Sequence, residues 1–458
     1  MATTDLGAVN NTTVGRLDRL VGEAIFDHQP AALDVDVINL ATKAKILSAP
    51  RRLLTAESVA IRHDKSTKVS IAMADLLRRL EVAAQSVTLL GIGGNEGTSA
   101  NKGQRAPMVL GAQENFEGIR ISSQDQLYLL HRDKGGHPMR AITAAKAAGD
   151  VYSTDDYIVT LGSSNTVLFT TDIPDGARVT FNGVGPAVAG DTVADWFTFV
   201  CSTIGPLASS ELNAARLALF KAAVPFAAGW YIQGDETIAE ILDALVSAYA
   251  WWGIDNDGLV DVGVNSTPRS DYVDYEIPTN RILEAEMLPI VPPARSISTC
   301  YRKNPTEMSE DEIAGAAKGT ADALWMTTPY TKITGSCSRY LSVYPSARTA
   351  DDYVTPFLRE KDALLVHSWL AESFLSPTVY YRIRLAPEAM RYRIGRVVRF
   401  SYPRWGLADP DQYRIAQTKL NANRTVELIV WKNRKRYVLS GGTTGTYLAA
   451  TDGSPLGI

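Results

Sequence analysis

The stretch Gly91-Ile92-Gly93-Gly94-Asn95-Glu96-Gly97, running on to Asn101-Lys102-Gly103-Gln104, has the residue types of a phosphate cradle. Glycines let backbone N–H groups close around a phosphate, and a lysine after them would neutralise it. The spacing does not serve that chemistry. A P-loop needs Gly directly before Lys and then Ser or Thr, whereas Lys102 follows Asn101 and precedes Gly103. The dinucleotide fingerprint fails too, because Glu96 stands where its third glycine belongs. A surface loop is the expected structure. His131-Arg132-Asp133 has the letters of a kinase catalytic loop, but Lys134-Gly135-Gly136-His137-Pro138 follows it, and no strand with a catalytic lysine precedes it. His131, Asp133 and His137 are metal-ligating types, yet the Gly-Gly between them points to a polar turn. Asp255-Asn256-Asp257-Gly258 resembles part of a calcium loop. The closing Glu is missing, since Val264 stands six residues after Gly258, and Gly253 stands where the first ligand is needed, so turn chemistry is expected. There is no Gly-x-Ser-x-Gly elbow, and five histidines offer few bases. The two acids of a glycoside hydrolase need no fixed spacing, and nothing singles out a pair here. No catalytic, cofactor-binding or metal-ligating residue is therefore assigned, no cofactor is expected, and the chain is read as a non-enzyme.

Charge gives a second kind of candidate. The net charge is -4 over 458 residues, but Tyr380 to Ser440 alone carries +10. Arg382 and Arg384, then Arg391 and Arg393, alternate with apolar residues, Arg396, Arg399 and Arg404 follow, and Lys432, Arg434, Lys435 and Arg436 close the segment. Alternation puts side chains on one face of a strand. The face is either a solvated one or a docking surface, and its Arg and Tyr content is that of an interface. Cys201, Cys300 and Cys337 are far apart and outside any C-x-x-C pair, so three buried thiols are expected, in keeping with assembly in a reducing cytoplasm. No run of about 18 apolar residues without charge occurs, so no membrane-spanning helix is expected. The first residues lack a basic, then apolar, pattern, so no signal peptide is expected.

The elements that must carry these residues change character along the chain. Residues 41–80 read as strands ending in a helix, and β-like pieces recur up to Arg178–Phe181, with a turn at Pro174-Asp175-Gly176. Helical patterns follow at Asp191–Ser202, Glu211–Ala222 and Asp235–Leu245. In the last, Ile238, Ile241, Leu242 and Leu245 share one face. Tyr249, Trp251 and Trp252, a turn and a strand Leu259–Val264 complete a compact α/β unit. From Asp271 the chain is β again. Ser296–Tyr301 reads as a strand. Ser309–Lys318 reads as a helix, with Ser309 and Glu312 as a capping box. Thr349–Leu375 reads as helical with a break at Pro356. Thr378–Leu385, Val397–Tyr402, Gln412–Ile415 and Val426–Trp431 read as strands. The Gly-, Thr- and Ser-rich tail from Gly441 is expected to be loose.

The order of certain pieces resembles the large tail-tip proteins of tailed phages and prophages, of the baseplate-hub kind. The resemblance is carried by Asp75–Leu80, Gly93–Gly97, Lys102–Pro107, Gly111 and Leu127-Tyr128, then by Gly234–Asp243, Trp251-Trp252-Gly253 and Asp257–Val260. It continues through Thr299–Asn304, Ile394–Phe400, Arg404–Leu407, Tyr413–Ile415 and Leu428–Trp431, about residues 70 to 435 in all. Many members of that family have Asp where Arg396 stands. The resemblance implies an α+β multidomain fold, with β-barrel-like hub domains, an α/β domain and inserted helices. The divisions expected are 1–150 (mostly β), 151–268 (β linker plus α/β) and 269–458 (barrel-like with inserted helices). Ser296–Tyr301 and the strands of Thr378–Trp431 would share one barrel. The implied function is that of a virion structural protein at the tail tip, assembled in the host cytoplasm into a homo-oligomeric ring, a trimer first and a hexamer second. Its implied partners are a distal tail or tube protein, the tape-measure protein and a tail fibre or spike, with the arginine face meeting its neighbours or the passing DNA, and no membrane insertion. The alternatives are a receptor-binding or fibre-attachment protein and, behind it, a cell-wall or glycan hydrolase.

Overall fold

The computed structural model describes residues 76–433, except 123, 255–257, 266–272, 337–343, 387–391, 403, 405–406, 408–410 and 421–424. The expectations for residues 41–75, the Asp255–Asp257 turn, Cys337, Arg391, Arg434, Lys435, Arg436 and the tail from Gly441 lie outside the described residues.

Nine strands build a first β unit: β1 (Met108–Glu117), β2 (Ile119–Arg120), β3 (Leu127–His131), β4 (Ala141–Ala147), β5 (Asp150–Val151), β6 (Tyr157–Thr160), β7 (Asn165–Phe169), β8 (Val179–Val184) and β9 (Gly229–Ile232). They form a sheet of order β5-β4-β8-β1-β9 and a second of order β2-β3-β7-β6. Apolar residues from both sheets, among them Phe116, Leu130, Val167 and Phe181, make one core. The chain passes from one sheet to the other at Gly118, between β1 and β2. A Cβ there would lie 2.5 Å from Leu130 and 3.0 Å from Phe181, so a larger residue at the crossing would have to displace these core side chains. A bulge just before it, with Asn115 at φ 54°, turns the strand toward the crossing.

Between β8 and β9 stand α1 (Val193–Phe199) and α2 (Ala214–Ala223). After β9 come α3 (Ile238–Val246) and the hairpin β10 (Ala250–Ile254) and β11 (Val260–Val264). Two short strands follow, β12 (Tyr275–Pro278) and β13 (Ile282–Met287). The chain then builds a small sheet from β14 (Ser296–Tyr301), β15 (Thr331–Ser336) and β16 (Asp352–Val354), with α4 (Ala321–Met326) and α5 (Glu360–Phe374). It returns in β17 (Thr378–Leu385), β18 (Val397–Ser401), β19 (Gln412–Leu420) and β20 (Val426–Asn433).

The last four strands join β12 and β13 in a six-stranded sheet of order β12-β18-β19-β20-β17-β13. Its two edge strands are consecutive in sequence, joined only by Thr279-Asn280-Arg281. Six flat strands would hold their edges roughly 24 Å apart. The link reaches at most about 14 Å. The sheet must therefore curl into a barrel-like shape, and its inward residues, such as Ile277, Ile383, Phe400, Tyr413 and Leu428, form a separate core. The fold is thus mixed α+β with a curled barrel-like sheet, in agreement with the class expected from sequence.

The largest core gathers α1, α2, α3, the β10–β11 hairpin and α5. It takes Trp196, Leu242 and Trp252 from one part of the chain and Ile297, Phe357 and Val366 from another. Hydrogen-bonded sheets and cores thus draw residues from both sides of positions 150 and 268.

Three local expectations are corrected. Ser296–Tyr301 is not in the barrel. It lies between β15 and β16, and residues Ile297–Tyr301 are buried, so it has no free edge to give the six-stranded sheet. Ser309–Lys318 keeps its capping box but makes only one 3-10 turn, Glu310–Glu312. Ile313 is extended and packs with Met308, Trp325 and Met326, and the Ala314 N–H donates to the Ala148 carbonyl, outside any helical ladder. In Thr349–Leu375 the helix begins only at Glu360, because Asp352–Val354 pairs in parallel with β14. Tertiary pairing overrides local pattern in all three.

Candidate functional site

The motif residues meet at the places where units join. Trp251 leaves the β10–β11 hairpin and lies against two glycines. A Cβ on Gly263 would come within 2.8 Å of its ring, and one on Gly395 within 2.4 Å. Gly395, in the turn before β18, also has φ 74°. Beside the ring lies a buried charge cluster. Asp261 of β11 faces Arg216 of α2 at 3.4 Å and Arg396 at 3.8 Å, with the Asp261 side chain 3% exposed. Arg396 also meets Asp274 at 3.6 Å. Asp274 accepts the Val397 N–H at 2.8 Å. Arg414 of β19 donates to the Gly395 carbonyl, and its burial pushes its guanidinium down to about 10, partly offset by Asp274. Arg396, the position that departs from the resembled family pattern, is thus held by two aspartates. A buried charge needs such partners, because desolvation of an unpaired ion costs several kcal/mol.

A second joint is built by Arg302-Lys303-Asn304, just past β14. Arg302 has φ 50°, and its Nε donates to Glu114 of β1 at 2.7 Å. Its guanidinium lies 4.2 Å from the Trp325 ring centre, and the Trp325 indole N–H donates back to the Arg302 carbonyl at 3.0 Å. Lys303 Nζ lies 4.0 Å from the Trp230 ring centre, and burial lowers its pKa. Asn304 is 3% exposed and uses both ends of its amide. Its Nδ2 donates to the carbonyls of Met326 at 2.9 Å and Thr328 at 3.0 Å, and its Oδ1 accepts from Asn115 at 2.8 Å.

At a third contact Arg105 pairs with Asp235 at 2.7 Å, bringing the Lys102–Pro107 and Gly234–Asp243 motifs together. They border an open cleft of about 510 Å³ with Thr88, Gln104, Ile119 and Gln233. The Gly-rich loop is a surface loop, as expected. Glu96 braces it by pairing with Arg132 at 2.7 Å and accepting the Leu90 N–H at 3.3 Å.

The residues that imitated catalytic motifs do not converge on a cleft. His131 is fully buried, and its Nδ1 accepts the Val109 N–H at 2.9 Å. Burial lowers its pKa to about 4, so it is neutral near pH 7. Asp133 instead holds His137, by the backbone N–H at 2.9 Å and by Nδ1 at 2.7 Å. Among the described residues no group of three or more His, Cys, Asp or Glu is arranged to hold a metal ion. Cys201 and Cys300 are buried free thiols, and burial pushes Cys300 up to about 12.

Arg382 and Arg384 of β17 and Arg399 of β18 lie on the outer face of the curled sheet, but carboxylates of the neighbouring strands meet them, while Arg396 precedes β18 and is buried in the cluster described above. Arg382 faces Glu286 at 3.2 Å and Glu427 at 3.4 Å, Arg384 faces Glu284 at 2.7 Å, and Arg399 faces Glu276 at 3.2 Å. The positive charge of these three arginines is thus met by carboxylates within the sheet. Sequence reading missed this because β12 and β13, which supply three of these acids, lie about a hundred residues upstream.

No protein-family model matches the chain, and no curated protein does. Among solved structures, a chain in the virion of a native gene transfer agent particle superposes on 88% of this chain and 95% of its own, with TM-score 0.50 and 12% identity. This chain shares that fold. A tail protein from Neisseria meningitidis MC58 gives TM-score 0.31 at 10% identity, covering 57% of this chain and 77% of its own. The 43 kDa tail protein of prophage MuSo2 from Shewanella oneidensis gives 0.28 at 12% identity, covering 71% and 93%.

Proposed function

We propose that this chain is a structural protein of a phage-type tail, working at the tail tip as a baseplate hub or a closely related ring component. The observation that carries the proposal is the correspondence of fold, over nearly the whole of both chains, with a chain of a virion. The joints support it. Charged and polar residues of the resembled motifs, among them Arg105, Arg302, Asn304 and Arg396, are occupied in fixing one unit against another, which is the requirement of a part that transmits shape and load. In this reading the chain is not an enzyme, and it assembles as a homo-oligomeric ring, a trimer before a hexamer. Its neighbours are a distal tail or tube protein, the tape-measure protein and a fibre or spike. Among the described residues no helix is long and apolar enough to cross a membrane.

The test is the mass of the purified protein by light scattering across a concentration series, with negative-stain images of the largest species. A closed trimer or hexamer with a central opening is the expected result. A monomer or compact dimer at every concentration, unchanged when a distal tail protein is added, overturns the ring. Binding of that monomer to host cells would replace it with the attachment-protein reading.

A further inference from the structure

The free edges of the sheets are not alike. Most of the exposed ones carry charge that the chain itself neutralises: Glu276 on β12, Glu284 on β13, and Lys332 with Asp352 on β15 and β16 all form internal ion pairs. β9 is covered, since the Gly229 N–H donates to the Pro356 carbonyl and Lys303 lies over Trp230. β6 is different. It is the edge of its sheet, and from Tyr157 to Leu161 it has no charge, proline or glycine. Ile158 is 54% exposed and Leu161 41%. A bare apolar edge is a template for another strand, and proteins ordinarily blunt such edges with charge or proline.

The surroundings of β6 say what that strand carries. Tyr157 pairs with Phe169, and the Thr170 N–H donates to the Asp156 carbonyl, so Asp155 and Asp156 stand at the N-terminal end of β6, with Asp172 two residues past Thr170 in the chain. None of the three forms an ion pair among the described residues. At the opposite edge of the same sheet, β2 carries Arg120, exposed and likewise without an ion pair among the described residues. All neighbours in this sheet are antiparallel, so β2 runs opposite to β6. A second copy laid edge to edge in the same sense sets its β2 antiparallel to β6. The C-terminal end of β2, where Arg120 stands, then falls beside the acidic end of β6.

We infer that β6 of one subunit takes β2 of the next, which joins the four-stranded sheets of neighbouring subunits and sets Arg120 against Asp155 and Asp156. Such a contact is head-to-tail, and its repetition makes a ring when the rotation between subunits closes and an open filament when it does not. The inference rests on the ring reading above and names its seam.

Charge reversal tests it in the full chain. Ile158→Lys and Arg120→Glu each change only exposed side chains, so the thermal midpoint should stay within a few degrees of the parent. Each should cut the mass-average size of the oligomer, raising the concentration needed for assembly at least tenfold. Arg120→Glu combined with Asp155→Lys and Asp156→Lys should restore it. An oligomer of unchanged size in all variants overturns the seam and leaves the ring reading standing. If the parent is monomeric, an equimolar mixture of an Ile158→Cys and an Arg120→Cys variant is treated with a bismaleimide at high concentration. A mixed cross-linked dimer supports the seam. No cross-link, or dimers of Ile158→Cys with itself, overturns it.

Discussion

Gly395 and Trp251 show how much one side chain can be asked to do. The turn before β18 needs a positive φ, and the indole needs the space a Cβ would fill. Gly395→Ala is expected to cost about 2 kcal/mol or more through strain and overpacking, read as a lowered midpoint in urea unfolding. Asp261→Asn is expected to cost about 3 kcal/mol, because the buried Arg216 loses its counter-charge and Arg396 is left with Asp274 alone. An unchanged midpoint would mean that the cluster is more hydrated than its burial indicates. Two histidines add a pH dependence. Burial lowers both His131 and His367 to about 4, whereas an unfolded imidazole takes up its proton near 6.5. The stability each gives by staying neutral is complete above pH 6.5 and is lost as pH falls toward 4, at ~1.4 kcal/mol per pH unit for each residue. Urea midpoints measured at steps across that window should fall with acid, and in a His131→Gln/His367→Gln variant the fall should be shallower. Equal slopes would rule these two out as its source.

At the scale of elements, capping and pairing compete with tertiary contact. Thr237 caps α3 by accepting the Glu240 N–H, and the Glu240 carboxylate accepts the Thr237 N–H at 2.8 Å. With Ile238, Ile241, Leu242 and Leu245 all buried on one side, this helix is set by its own sequence. Thr237→Ala should cost about 1 kcal/mol, seen as a small drop in thermal midpoint with the circular dichroism of the folded protein unchanged. Ser309 and Glu312 offer the same box at a place where Ile313 has a pocket of its own, and there the helix stops after one turn. The difference lies in what receives the residues after the cap, an apolar stripe in one case and separate contacts in the other. The arginine strands follow the same logic. Their alternation was readable and correct, but their charge is offset by strands that the local sequence does not contain.

At the scale of the whole molecule, the joints bind the barrel-like sheet, the α/β unit and the first β unit into one structure. The expected consequence is a single cooperative unfolding transition, in which the fluorescence of the eight tryptophans, Trp251 and Trp325 of the joints among them, and far-ultraviolet circular dichroism coincide. Asp261→Asn should separate them, because the curled sheet has a core of its own that can outlast the joint. Coincident curves in that variant would show that the two units are held by apolar packing alone.

The sequence by itself determined the period-2 strands, a helix expected over Asp235–Leu245 and found at Ile238–Val246, the failure of each catalytic motif and the α+β class. All of these depend on residues close together in the chain, where hydrophobic period, capping and turn chemistry act directly. Only the tertiary structure decided which strands share a sheet, why β14 left the barrel, and where the motif residues meet. Asn115 and Asn304 are hydrogen-bonded across 189 positions, and Arg399 meets Glu276 across 123. Nothing in either local stretch records its partner, because such a contact exists only once the chain has brought the two together.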